Sequence, residues 1–144
     1  MPNRPVGQIV QGRTVTTAKG TDMVLDVAQR MRERKTGAIL VMHDDALVGI
    51  FTERDALTRV IAEGLDPTIT PLAEVMTREP LTVTSDKPFR SALHLMYENG
   101  FRHLPVMDDG QPIGVVSARD ALGIDLVQFE RDLDQREDIT QILG

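Results

Sequence analysis

The stretch Gly49 to Asp55 reads GIFTERD, and Gly114 to Asp120 reads GVVSARD. A shift of 65 positions lays the longer stretch VMHDDALVGIFTERDAL on VMDDGQPIGVVSARDAL without a gap. Val41, Met42, Asp44, Gly49, Arg54, Asp55, Ala56 and Leu57 all recur, and upstream Met31 falls on Met96. A unit longer than a supersecondary motif and present only twice cannot be a solenoid, which needs at least three copies to bury a continuous core. The duplication therefore predicts two similar halves related by an intramolecular pseudo-two-fold.

Each copy carries the same succession of local signals. Val24, Val27, Ala28 and Met31 follow the 3-4 spacing of a helix face, with Thr21 or Asp22 available as cap and Gly37 as stop. Phe89, Ala92, Leu93 and Met96 repeat that stripe, with Ser85 or Asp86 as cap, Pro88 suited to the first turn, and Gly100 as stop. Each helix hands the chain to a hairpin: strands over Ala38 to Met42 and Leu47 to Phe51, then over His103 to Met107 and Pro112 to Val116. The turns HDDA and DDGQ supply the Asp and Gly that tight hairpin loops favour. Short strands are expected near Thr14 to Thr17 and Leu81 to Thr84. A further helix should start after each heptad, capped by Thr52 or Ser117, with Asp55 or Asp120 three residues on as an acidic form of the capping box.

Between the copies, GLDPTITPLAEVMTREP is rich in Gly and Pro and reads as a connector around a short helical turn. The boundaries expected are a first domain over 5–64, a connector over 65–80, a second domain over 81–127 and a helical tail over 128–144. In the final segment of the chain, Leu122, Leu126, Phe129 and Leu133 are spaced as one apolar face among charges, predicting an amphipathic helix. From Asp125 to Asp138 it holds six acidic residues against two arginines.

Composition narrows the function classes. The chain has 144 residues, 41% hydrophobic and 26% charged, with a net charge of −6 and no cysteine. The acidic balance argues against a nucleic-acid surface, which needs clustered cations to displace counterions. No apolar run reaches the ~20 residues of a membrane span, and the first residues lack the apolar core of a secretory signal, so a cytoplasmic protein is expected. The absence of cysteine removes disulfides, thiolate metal sites and thiol nucleophiles. With three histidines and no G-x-S-x-G, P-loop or H-E-x-x-H, no nucleophile–base pair or metal-ligand spacing emerges. The chain does not read as an enzyme, and no catalytic cofactor is expected. His43 beside Asp44 and Asp45 reads as part of a turn, His94 as a surface or packing residue of a helix, and the seven methionines mostly as apolar-face residues with a core role.

The two heptads in register, with EVMT at Glu74 to Thr77 and RHLPVMDDG at Arg102 to Gly110, resemble CBS domains, and the chain from about Pro5 to Val127 resembles a tandem CBS pair, or Bateman module, of the stand-alone bacterial type. The resemblance implies an α+β fold: two pseudo-symmetric β-α-β-β-α halves packed through their sheets, here followed by the C-terminal amphipathic helix. It also implies clefts for adenosine-containing ligands such as AMP, ADP, ATP or NAD, a homodimer, and a regulatory or sensor role acting on an effector protein that the sequence does not name.

The residues suit that task. A carboxylate on the first turn of a helix accepts hydrogen bonds from both ribose hydroxyls, each worth roughly 1.5–3 kcal/mol to an ionised acceptor. A neighbouring hydroxyl and the free N–H groups of the helix start favour an anion, and Gly49 or Gly114 lets the strand backbone approach a ligand. The bland alternative is that Thr52 with Asp55, and Ser117 with Asp120, are capping pairs only, in an interaction module with empty clefts. By resemblance, the first site comprises Thr52, Asp55, Arg102, His103 and Arg119, and its cations suit phosphates. The second, weaker site comprises Lys35, Gly37, Ala38, Arg54, Val83, Ser117 and Asp120, where Gly37 and Ala38 replace Arg102 and His103. With so few aromatics, the base is expected between aliphatic side chains such as Val83, Leu104 and Ile113.

Overall fold

The computed structural model describes residues 4–122. The expected C-terminal helix and the 128–144 tail lie outside the described residues.

The first half contains β1 (Thr17–Ala18), α2 (Val24–Arg34), β2 (Ala38–His43) and β3 (Ala46–Thr52), then a short helix α3 (Glu53–Asp55) that runs on as a π-helix (Ala56–Ile61). The second contains β5 (Val83–Thr84), α4 (Phe89–Asn99), β6 (His103–Asp108) and β7 (Gln111–Ser117), then a helical turn at 119–122. Ahead of the halves stand α1 (Val6–Ile9) and, in the connector, a 3-10 turn (Leu72–Glu74) leading to β4 (Thr77–Arg78). The sheets run β1-β2-β3-β4 and β5-β6-β7, with the first pair of each parallel.

The sequence repeat is also a repeat of register. Ala38 pairs with Thr52 and His103 with Ser117; Val41 pairs with Gly49 and Val106 with Gly114; each hairpin carries a bulge one residue later. Both turns are two-residue loops with left-handed φ at both positions, Asp44 and Asp45 in one, Asp109 and Gly110 in the other. That conformation matches the strand twist and explains the Asp and Gly found there.

The helix starts differ from the capping expected. Neither Thr21, Asp22, Ser85 nor Asp86 caps; the N-cap positions are Met23 and Pro88, without side-chain caps. Backbone carbonyls of crossing segments satisfy the exposed N–H groups instead: Val24 and Leu25 donate to Thr70 and Pro67, and Phe89 to Arg4. Asp22 accepts from the Lys19 N–H, and the Ser85 hydroxyl donates to Asp108. Helix α2 also stops before Gly37, with Lys35 as its left-handed C-cap, whereas Gly100 ends α4 as expected.

Those crossing segments complete the cores. Leu72, Val75 and Met76 of the connector are buried with Val27, Ile39 and Phe51 of the first half. Val6 and Val10, at the start of the chain, are buried with Phe89, Leu104 and Val116 of the second. The connector is therefore core as well as tether. The halves meet where β3 packs on β7, with Ala38, Leu40 and Ile50 buried against Val15, Leu47 and Val115.

Gly49 and Gly114 serve this exchange. A Cβ on Gly49 would lie 2.5 Å from the Met76 sulfur, and one on Gly114 would lie 2.6 Å from the Val10 Cβ. The close approach these glycines permit is to the crossing segment, in place of the ligand contact expected from sequence.

Candidate functional site

Strand β3 delivers Thr52 to a helix start in an extended conformation suited to an N-cap. The Thr52 hydroxyl accepts from the Asp55 N–H at 3.2 Å, while Asp55 Oδ2 accepts from the Thr52 N–H and hydroxyl, both at 3.0 Å. This is the acidic capping box expected from the heptad. Asp55 is only 8% exposed. Its Oδ1 faces Arg59 Nε at 3.5 Å, one turn along, and the Arg59 guanidinium also donates to the Val75 and Met76 carbonyls. The wider π-helical winding begins immediately after Asp55, with the Ala62 N–H donating to Leu57 O. Such turns are rare and recur at functional sites.

Asp55 lies in the wall of a cavity of about 860 Å³ between the halves. The first half contributes Ile50, Thr52, Arg54, Asp55 and the π-helix, and the second Phe101, Arg102 and His103. The end of the connector, Glu79 and Pro80, and the adjoining Leu81 close one side. The Arg54 guanidinium donates to the Gly100 carbonyl at 3.0 Å and so ties the two walls together. Burial pushes the His103 imidazole below its ordinary range; Glu53 opposes this, and Arg119, Asp120 and Arg102 add smaller effects of both signs.

Thr52, Asp55, Arg102 and His103 are thus brought together as the first site requires. Arg119 is not in the wall of this cavity, although it is close enough to His103 to disfavour its protonation. Arg54, expected at the second site, lines the Asp55 cavity. Gly37 lies beside Glu53 and His103, Ala38 is buried between the sheets, and Lys35 ends α2. Val83 and Leu104 are buried in the core of the second half, so the apolar wall at Asp55 is formed by Ile50, Leu57, Pro80, Leu81 and Phe101 instead. Sequence reasoning missed Arg59, whose signal was its i+4 spacing from Asp55. It also missed Pro80, the last residue of what read as a plain connector, and Leu81, which read only as the start of a short strand.

The CBS-domain sequence profile matches residues 6–62 and 72–126. The chain belongs to the CBS-domain family. A solved structure of a protein with CBS domains from Burkholderia ambifaria MC40-6 is 34% identical, covering 85% of this chain and 94% of its own, with a TM-score of 0.80. The crystal structure of the CBS domain NE2398 is 35% identical, covering 85% of this chain and 97% of its own, with a TM-score of 0.79. Among curated relatives, CBSCBSPB2 of Arabidopsis thaliana is 38% identical over 92% of this chain. The chain spans about a quarter of the length of that relative, the share being 25%. Tandem CBS pairs are commonly regulatory, ligand-binding modules and not catalytic ones.

The second CBS half repeats the heptad geometry with a different occupant. The Ser117 N–H donates to Asp120 Oδ2 at 2.8 Å, as Thr52 does to Asp55. The Asp120 carboxylate is also gripped by Arg13, whose two terminal nitrogens donate to Oδ1 at 2.7 Å and Oδ2 at 3.1 Å. The pair raises the Arg13 guanidinium above its ordinary value, chiefly through these hydrogen bonds. Arg13 is 107 residues away in sequence, and no local pattern announces it.

Among the described residues no helix is long and apolar enough to cross a membrane, and no cluster of three or more His, Asp or Glu is arranged for a metal ion.

Proposed function

We propose that the chain is a regulatory or sensor module that binds an adenosine-containing ligand (AMP, ADP, ATP or NAD) at Asp55 and answers by a change of shape or partner affinity. The observation that carries this reading is the cavity of about 860 Å³ lined by a nearly buried helix-start carboxylate and Arg54 from one CBS half and by Arg102 and His103 from the other. Its volume lies in the range of small-molecule sites. Asp55 suits the ribose hydroxyls, the cations suit phosphate, and Ile50, Leu57 and Leu81 offer apolar faces for the base. Because both halves line the cavity, a ligand binds best to one arrangement of them and shifts the population toward it by its differential affinity. Micromolar binding corresponds to roughly −8.2 kcal/mol, within reach of a ribose clamp and two or three phosphate contacts.

Calorimetric titration of AMP, ATP and NAD into the wild-type protein and Asp55→Ala tests this. Binding that is unchanged in the variant would overturn the assignment of Asp55. Failure of every nucleotide to raise the melting temperature at millimolar concentration would favour an interaction module with empty clefts.

The module is further read as a cytoplasmic homodimer. Ile61 at 69% exposure and Tyr97 at 88% are large apolar or aromatic side chains left on the surface, and Ile61 stands four residues from the exposed Leu57. Light scattering should show twice the chain mass for the wild type and the monomer mass for Ile61→Glu; identical masses would sink this reading.

A further inference from the structure

Asp55 and Asp120 are equivalent under the repeat, yet their carboxylates are engaged differently. Asp55 meets Arg59 at one oxygen only, at 3.5 Å, from its own helix. Asp120 is held at both oxygens by Arg13, which also reaches the Val115 carbonyl at 3.5 Å. Val115 and Asp120 are the repeat equivalents of Ile50 and Asp55, both of which wall the Asp55 cavity. Arg13 therefore spans, in the second half, the two positions between which the first half leaves room for a ligand. Its guanidinium presents two parallel donors to one carboxylate, as the vicinal hydroxyls of a ribose would.

The surroundings fix the backbone of Arg13 but not its side chain. Val6 and Val10 are buried in the second core, Val10 packs on Gly114, and the Arg13 N–H donates to the Val10 carbonyl. The Arg13 side chain is 43% exposed and Asp120 only 13%. The guanidinium can therefore swing toward solvent without unseating α1, and the carboxylate cannot follow it.

We propose that Arg13 is the specificity-determining plug of a second nucleoside seat at Asp120, occupying the place of the ligand's ribose hydroxyls and yielding it only when displaced. This rests on the reading of Asp55 as a nucleoside anchor. A bare nucleoside must displace a charged, two-point partner and offers the released guanidinium nothing. A phosphorylated nucleoside offers it a new anionic partner, so the seat discriminates for phosphate through the residue that otherwise closes it.

Titrations of adenosine and AMP into wild type, Arg13→Ala, Asp55→Asn and the double variant test the proposal. Arg13→Gln, which keeps the stem but cannot grip both oxygens, stands in if Arg13→Ala does not fold. With Asp55→Asn weakening the first seat, removing Arg13 should create adenosine binding at least about tenfold tighter than with Arg13 present, equal to about 1.4 kcal/mol. AMP should gain less, because it loses a phosphate partner. No gain on removing Arg13 overturns the plug, whether or not the wild type binds. Binding by the wild type that survives in Asp55→Asn at full strength overturns the Asp55 reading. A ligand gained by Arg13→Ala while the wild type binds none leaves the plug standing and removes the Asp55 seat.

Discussion

Thr52 and Asp55 are joined by three hydrogen bonds, two accepted by a single carboxylate oxygen and one by the threonine hydroxyl. The cap thus occupies Oδ2, while Oδ1 faces Arg59, which lines the same cavity. On the proposed function, the capping role falls on Oδ2 and the binding role on Oδ1. Asp55→Ala should lose about 1–2 kcal/mol of folding stability from the cap and reduce nucleotide affinity by at least about tenfold. Asp55→Asn, which keeps an acceptor for the Thr52 N–H, should recover most of the stability but not the affinity. Urea melts and calorimetry on the two variants separate the effects, and equal losses of stability would contradict the division.

His103 supplies a pH signature. Burial depresses its folded-state pKa below the ordinary 6.5, so the unfolded chain binds its proton more readily. The stability this contributes is fully present above the unfolded value and is lost as pH falls through the folded one. A phosphate in the cavity favours the charged imidazole and raises its pKa in the complex above that of the free folded protein, so binding should draw in a proton between those two values and strengthen on acidification from neutrality. Calorimetry at slightly acidic pH, in buffers of different ionisation enthalpy, should show proton uptake in the wild type and none in His103→Gln.

Gly114→Ala and Gly49→Ala test the exchange of crossing segments. Each added methyl would meet Val10 or Met76 well inside contact distance. Overpacking of this kind costs typically about 1–3 kcal/mol. The Gly114 variant should fare worse, because the Val10 Cβ, at 2.6 Å, is fixed to the backbone and cannot rotate aside, whereas the Met76 sulfur lies on a flexible side chain. Chemical denaturation would check the order, and a neutral result at both positions would reassign these glycines.

Leu72→Ala should destabilise the protein by about 2–5 kcal/mol, as for a large core side chain. Leu72 is fully buried although it lies in a Gly- and Pro-rich stretch with the composition of a linker. A loss near zero in a urea titration would show the connector to be a tether only.

Much of this was legible in the chain. The 65-residue repeat, the 3-4 stripes of α2 and α4, the hairpin turns at Asp44 and Asp109, and the capping box at Thr52 depend on near neighbours and were placed correctly. The caps proposed at Asp22 and Asp86 failed for one physical reason: carbonyls from remote segments reach those helix starts first, and an N–H already satisfied needs no side chain. The roles of Leu72 and Val10 were hidden in the same way, since short segments carry no periodicity to reveal that they cross into a core.

The sequence by itself determined the two-fold architecture, the elements within each half and the identity of the two helix-start carboxylates, because these follow from periodicity, turn chemistry and contacts three or four residues apart. Only the tertiary structure decided which carboxylate faces open space. Arg13 and Asp120 are brought together across the whole length of the chain by the burial of Val6 and Val10, whereas Asp55 opens onto a cavity whose far wall is Arg102 and His103. A bidentate ion pair depends on distance in space, and nothing in the local pattern around either partner encodes it.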